Sequence, residues 1–437
     1  MSSAKWSLRS FGRNAVGSVA IMYALSLPVL VGFAGLGVEV GSWYVSKRAM
    51  QSSADAGATA GALELTYGGD KFAIASQALA EAKRNGFTNA AGTTFTVNHP
   101  PLNGAYAGDP TAVEVVMDVP RNATFASALS FNKVTIAARA IARQAPGGDA
   151  CILALDKTAH DAVSNSGGAS LNIDGCIVAA NSKQSDAISL GGSSSLTAES
   201  MWTSGGIYTG SNATVNIKTT PVEQGFPLND PYAGTPIPSP TSPCIKAKDI
   251  SGTMTIANSG SPVTICTPGS TLHLTSGDAI DFEPGVYLFY GVGLKVDGGA
   301  TITCSACSPG SEGVTFIFSG PSASQVGTAD INGSANVTLN APSTGTYSGL
   351  LFYQDPISAN TSSNTSNING GADIQLTGAL YFPSTHVNVN GDVTGTSECS
   401  LVVAGTITFG GSSTLNTSKC SDYGYKIVTS IRVVLVE

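Results

Sequence analysis

The side chains best placed to do chemistry are eight cysteines, all beyond residue 150. They fall as chain neighbours: Cys151 and Cys176, Cys244 and Cys266, Cys304 and Cys307, Cys399 and Cys420. Eight thiols allow 105 connectivities, so pairing each with its neighbour is an expectation of the local spacing only. Closed loops of 21–25 residues would each stabilise the fold by about 2–4 kcal/mol. Cys304-Ser305-Ala306-Cys307 has the C-x-x-C spacing of redox and zinc sites. Zinc needs further ligands, and a thioredoxin-like motif should open a helix in a βαβ setting. Neither accompanies this motif, and it reads as a structural loop disulfide. Asp278, Asp281 and Glu283 are the densest carboxylates and could imitate the acidic cluster of a solenoid polysaccharide lyase or a calcium site; a solvated turn is the reading preferred. A lyase would also want a basic partner, yet Arg432 is the only arginine after residue 148. Of the four histidines, His99, His160, His273 and His386, the last two occupy polar alternation positions that point outward. No residue is assigned as catalytic, cofactor-binding or metal-ligating.

The elements that carry these residues are strands. From residue 148 onward, short runs alternate polar and apolar between Gly, Ser and Asn, as in Thr214-Val215-Asn216-Ile217 and His386-Val387-Asn388-Val389. Period-2 alternation bounded by turn residues reads as half-buried strand. The expectation is a large all-β domain over 148–437, a β-solenoid (β-helix) in which small residues stack coil on coil, with a β-sandwich as the alternative. Six prolines between Pro227 and Pro243 mark a loop or strap within it. The apolar tail Tyr425–Val436 is expected to add a closing strand to that domain.

The other half of the chain is different in kind. Lys5, Arg9 and Arg13 precede 25 residues, Asn14 to Val38, without a charge. As helix that run spans about 37 Å, more than a ~30 Å hydrocarbon core needs. It is also longer than a signal-peptide apolar region. We read residues 1–13 as a basic cytoplasmic segment and 14–41 as an uncleaved transmembrane helix, with a cleaved signal sequence as the alternative. Pro28 is expected to kink the helix and Glu39 to reach water at its edge; Gly37 and Gly41 make one small-xxx-small pair, the spacing of a helix-packing face but also one that arises by chance in Gly-rich sequence. Residues 42–147 read as a stalk of two helices followed by strands, in which Phe72, Ala75, Leu79 and Ala82 share one helix face.

Composition excludes other classes. Only 11% of residues are charged, against a usual ~25%. Residues 1–149 hold 12 basic and 9 acidic side chains, while 150–437 hold 9 and 20. With no basic stripe and a net charge of −8, a nucleic-acid partner is not expected. Thiols confined to the downstream part fit an oxidising compartment there.

Arg13-Asn14-Ala15-Val16-Gly17-Ser18-Val19-Ala20, then Ser42-Trp43-Tyr44-Val45-Ser46-Lys47-Arg48, then Ser53-Ala54-Asp55-Ala56-Gly57-Ala58-Thr59-Ala60-Gly61-Ala62 resemble the N-terminal segment of TadE/TadG-like proteins of the Flp (tight-adherence) pilus assembly system. The likeness covers roughly residues 10–65 and continues weakly from Val113 to Arg143. Flp prepilins are cut after a glycine that is followed by Glu and Tyr at the fifth and sixth positions. Counted from Gly17 those positions hold Met22 and Tyr23, so the resemblance points to a non-pilin, TadG-like member. Some members carry a von Willebrand A domain; Ile152-Leu153-Ala154-Leu155-Asp156 begins in that style, but Lys157-Thr158-Ala159 breaks its metal loop. The resemblance implies a non-enzymatic, single-pass protein of the bacterial inner membrane with its C-terminal domain in the periplasm. There it would scaffold pilus assembly or secretion partners. The alternatives are an envelope adhesin or carbohydrate-binding β-solenoid protein exported to the cell surface, which would bind envelope glycan, and a polysaccharide-active enzyme.

Overall fold

A computed structural model describes residues 15–308, 310–361, 364–371, 374–391, 399–416, 420, 424–426 and 428–437. Lys5, Arg9 and Arg13, and with them the segment 1–13, lie outside the described residues. The chain divides into two units, Met1–Pro146 with Ile431–Glu437, and Gly147–Ser430.

In the first unit, α1 (Ala15–Thr66) is one helix that runs through Pro28 and joins the expected membrane segment to the first stalk helix. It is the one helix, among the described residues, long and apolar enough to cross a membrane. Leu25, Phe33 and Val38, on different sides of it, are all exposed. A helix apolar all round has no aqueous face to offer, so its natural surroundings are hydrocarbon or protein. Beyond Met50 the pattern changes to a narrow buried stripe, Ala54, Ala58 and Ala62, at helical spacing. Helix α2 (Lys71–Arg84) starts at Asp70, whose side chain accepts from Ala73 N at 2.8 Å, a standard N-cap. Against α1 it buries Ile74, Ala78 and Ala82. The face expected from sequence is therefore rotated, and Phe72 is 85% exposed.

Three antiparallel strands complete this unit: β1 (Thr94–Asn98), β2 (Ala112–Asn122) and the first part of β3 (Lys133–Ala154). The tail corrects the expected extent of the all-β domain, which does not run to residue 437. Val436 N donates to Ile141 O at 2.9 Å and Ile141 N to Glu437 O at 2.7 Å, and Val433 packs on the first unit's core. The sheet edge next to β3 needs hydrogen-bond partners, and the tail supplies them.

The second unit is all β, and three ladders organise its described strands. The first ladder pairs residues 245–246, 263–266, 285–290, 314–319, 350–354, 378–382, 400–404, 152–154, 177–180 and 200–203, each with the next. The second runs through 270–274, 292–296, 329–331, 366–369, 386–390, 406–410, 163–165, 188–190 and 207–209. The third has two stretches, 253–256 to 374–377 and 412–416 to 214–217. Every one of these pairings is parallel, whereas the β-sandwich alternative calls for antiparallel sheets. Equivalent positions on successive rungs stack: Phe316 lies on Phe352 at 5.8 Å between ring centroids, and Tyr353 on Tyr381 at 4.9 Å. These spacings follow from the ~4.8 Å strand separation.

The rung order is not the chain order. The chain enters the first ladder at residue 152, in mid-ladder, and climbs to 203. It then returns along the ladder's outer side through the proline-rich segment. Trp202 Nε1 donates to Phe226 O (2.7 Å), Leu228 N to Asn181 Oδ1 (2.7 Å) and Tyr381 OH to Asp230 Oδ2 (2.7 Å). Further along, Tyr353 OH donates to Thr235 O (3.2 Å) and Thr241 N to Thr264 Oγ1 (2.8 Å). Burial and the nearby Asp355 and Asp230 carboxylates push the Tyr353 hydroxyl up to about 12, so it remains a donor. From 245 the chain climbs again until 400–404 meets 152–154. This strap explains why first-ladder strands such as Val314–Ser319 and Leu350–Gln354 are buried on both faces.

Candidate functional site

In the first unit the small residues of α1 are there for close approach. A Cβ on Gly57 would lie 3.0 Å from Ala78 O, and one on Gly61 2.9 Å from Val113 Cγ1. Gly37 and Gly41, by contrast, have nothing of this chain within 4 Å of such a Cβ. Glu39 does not reach water as expected. It is 8% exposed and accepts from the backbone N–H groups of Thr124 and Ala126, in the loop joining β2 and β3. One turn earlier a Cβ on Gly35 would overlap the Phe125 ring. Further along the helix Lys47 donates to Ala137 O, and Gln51 Nε2 to Arg139 O at 2.7 Å.

A charged group occupies the other end of the same sheet. Glu114, 1% exposed, accepts from Arg139 Nε at 2.6 Å, from Asn98 Nδ2 at 2.8 Å and from Leu102 N at 3.2 Å. Arg139 also bonds Glu437 at 2.7 Å. Burial alone would push the Glu114 carboxyl up; its Asn98, Arg139 and Leu102 donors outweigh that and hold it below the usual carboxylate range.

In the second unit the carboxylates singled out from sequence do not converge on a shared centre. Asp278 takes Gly252 N (2.6 Å) and Thr275 N (2.8 Å), which hold its carboxyl low. Asp281 takes Ser305 N (2.8 Å), Ser305 Oγ (2.7 Å) and Thr303 Oγ1 (2.9 Å), and these outweigh its partial burial. Glu283 takes Asn258 N at 2.9 Å. Several of these bonds reach 22–26 residues along the chain, so the carboxylates tie one rung to the next. Among the described residues no three His, Cys, Asp or Glu side chains form a group that could hold a metal ion. The cysteines are joined as Cys151–Cys176, Cys244–Cys266, Cys304–Cys307 and Cys399–Cys420, with Cα–Cα distances of 5.9, 5.9, 5.2 and 4.9 Å. The first two bridge adjacent rungs of the first ladder; the third closes the turn after Thr301–Thr303.

The outer side of the second ladder carries an extended polar row. Register places His273, Lys295, Asp330, Asn367, Asn388, Thr408, Ser164, Ser189 and Tyr208 in one row, each beside the next. At ~4.8 Å per rung the row is about 38 Å long. Its members are exposed or half-buried, while the following position on most rungs (Val296, Ile331, Ile368, Val389, Phe409) is buried. The row is tied laterally: Asn367 Nδ2 donates to Asp330 Oδ1 (2.7 Å) and Asn388 Nδ2 to Asn367 Oδ1 (2.8 Å). Beside it, Asn390 Nδ2 donates to Asn369 Oδ1 (2.9 Å), and Asp297 meets His273 Nε2 at 2.6 Å and Lys295 Nζ at 3.4 Å. The His273 contact, with Lys295 in support, holds the Asp297 carboxyl low. Lys295, Asp297, Asp330, Asn332, Asn367 and Asn369 line a shallow hollow of about 300 Å³. Sequence reasoning placed His273 and His386 outward but missed the row. Lys295, Asp330, Asn367 and Asn388 are 35, 37 and 21 residues apart, and only strand register aligns them.

Residues 17–64, all within α1, match the Tad family model, described as Flp pilus-assembly TadE/G-like. No curated protein and no solved structure matches the chain.

Proposed function

We propose that this chain is a membrane-anchored, non-enzymatic component of a Flp-type pilus assembly or secretion system. The observation that carries the reading is that residues 17–64, the match to the Tad model, include the helix segment that is apolar all round and exposed. Such a segment belongs in a bilayer, and the matched stretch continues through the alanine seam that docks α2. Basic residues ahead of the helix favour a cytoplasmic N-terminus, and the cysteines of the second unit suit an oxidising periplasm beyond it. In this reading residues 14–41 span the inner membrane, 42–147 form the stalk, and the three parallel ladders are the faces of one β-solenoid that presents binding surface to assembly partners. Methionine in place of the prepilin glutamate, at Met22, favours an accessory role over that of fibre subunit.

Deleting the gene in its host should abolish or sharply reduce surface Flp pili, with restoration by the full chain but not by a chain lacking residues 14–41. Normal piliation in the deletion strain would overturn the reading. Reporter fusions at residue 10 and after residue 437 test topology: activity restricted to the cytoplasm for both would refute the orientation.

A second reading is supported by the polar row. An amide-, carboxylate- and hydroxyl-lined strip about 38 Å long, with Tyr208 55% exposed at one end, suits envelope glycan. Calorimetric titration with envelope polysaccharide fragments tests it. Binding lost in Asp330→Ala and Asn367→Ala would support it; no heat with the unaltered protein would refute it.

A further inference from the structure

The loop joining β2 to β3 holds a feature that anchoring by α1 does not account for. Residues 123–132, Ala-Thr-Phe-Ala-Ser-Ala-Leu-Ser-Phe-Asn, carry no charge, although they form an exposed hairpin tip. The tip is closed by its own backbone: Ala123 N donates to Asn132 O (3.0 Å), Phe131 N to Ala126 O (3.1 Å) and Ser130 N to Ser127 O (3.0 Å). Yet Phe125 is 42% and Phe131 62% exposed. Exposed Arg121 and Lys133 flank the tip on both strands.

Its place along α1 says what it faces. The Phe125 ring lies over Gly35, and Glu39 takes the loop's Thr124 and Ala126 amides. Gly35 is inside the charge-free run that ends at Val38. That run, about 37 Å as helix, exceeds a ~30 Å hydrocarbon core by about 7 Å, or about five residues. With Arg13 among the inner headgroups, the excess falls at the outer end, and Gly35 sits where hydrocarbon gives way to headgroups. The loop pinned to it lies at the same depth. Aromatic rings favour that zone, and basic side chains just outside it meet lipid phosphates.

We infer that residues 123–132 form a second, interfacial membrane contact, in which Phe125 and Phe131 enter the outer headgroup region beside α1 while Arg121 and Lys133 lie against lipid phosphates. The inference rests on the reading of residues 14–41 as the membrane span. Together the helix and the loop give the first unit two points of attachment to the bilayer, which restricts its rotation about the helix axis.

The test uses the full chain reconstituted in vesicles of phosphatidylcholine and phosphatidylglycerol, labelled with an environment-sensitive fluorophore at one introduced cysteine. The positions are Phe131→Cys, Ala128→Cys on the same loop, Leu30→Cys in the span and Leu102→Cys at the far end of the sheet. Quenching lipids carry a nitroxide near the headgroup or near the chain end. The loop probes should be quenched most by the headgroup nitroxide, at a depth of about 5–10 Å, as interfacial anchors are. Leu30 should respond to the chain-end nitroxide and Leu102 to neither. Leu30 quenched with both loop probes unquenched overturns this inference alone and gives the loop to a protein partner. Leu30 unquenched overturns the membrane span itself. Ala128→Cys keeps the reading testable if loss of the Phe131 ring disturbs folding, which circular dichroism reports.

Discussion

Glu114 is the side chain on which the charge arrangement of the first unit turns. Its carboxyl is buried and ionised because three donors converge on it. Its folded value lies below the unfolded ~4.3, so its contribution to stability is present above about pH 4.3 and is lost as pH falls through the folded value. Acid unfolding of the first unit should therefore steepen below about pH 4. Glu114→Gln should flatten that dependence and lower stability at neutral pH by about 3 kcal/mol, since the buried side of Arg139 loses its counter-charge and the guanidinium keeps only Glu437 and the Asn103 carbonyl. Thermal melts from pH 3 to 7 on both proteins check this; a Glu114→Gln curve parallel to the parent would refute it. Tyr381 is the corresponding residue under the strap. Tyr381→Phe removes the donor to Asp230 and is expected to cost about 1.5–3 kcal/mol in denaturant unfolding of the second unit.

Among elements, α1 uses small residues in two different ways. Gly57 and Gly61 face backbone and side chains at contact distance, whereas Gly37 and Gly41 face nothing in this chain. Gly57→Leu should therefore destabilise the first unit by about 1–3 kcal/mol through overpacking, while Gly41→Leu leaves its melting unchanged. Equal effects at both positions would count against the seam. The disulfides differ in the same measurable way. Removing Cys151–Cys176, which closes 25 residues, should cost about 3–4 kcal/mol, and removing Cys304–Cys307, which closes three, about 2 or less. Urea titrations of the paired serine variants give that order. The second-ladder strands were readable because one side faces solvent and alternation survives. First-ladder rungs such as Leu350–Gln354 and 400–404 were harder to see, because both faces are buried and the period of two is erased. The readable signal for them is the continuous apolar run, as in Leu350-Leu351-Phe352-Tyr353.

For the molecule as a whole, the division into two units and the confinement of every cysteine to residues 151–420 make a joint expectation. Calorimetry of the detergent-solubilised chain should resolve two transitions, and a reductant should lower one of them and leave the other in place. A single transition, or two that shift together, would mean the units unfold as one.

What the amino-acid sequence determined by itself is what short windows carry. A charge-free run of 25 residues makes a helix that avoids water, a specific order of residues around it matches one family, and Gly, Ser and Asn between alternating residues make strand. What only the tertiary structure decided depends on contacts between distant residues. Rung 400–404 settles on 152–154 some 250 positions earlier, the strap runs back along the ladder, and nine polar side chains come into one row. The physical reason is that a parallel strand is registered by hydrogen bonds to its neighbour in space. With turns of irregular length between rungs, no fixed interval in the sequence records that neighbour.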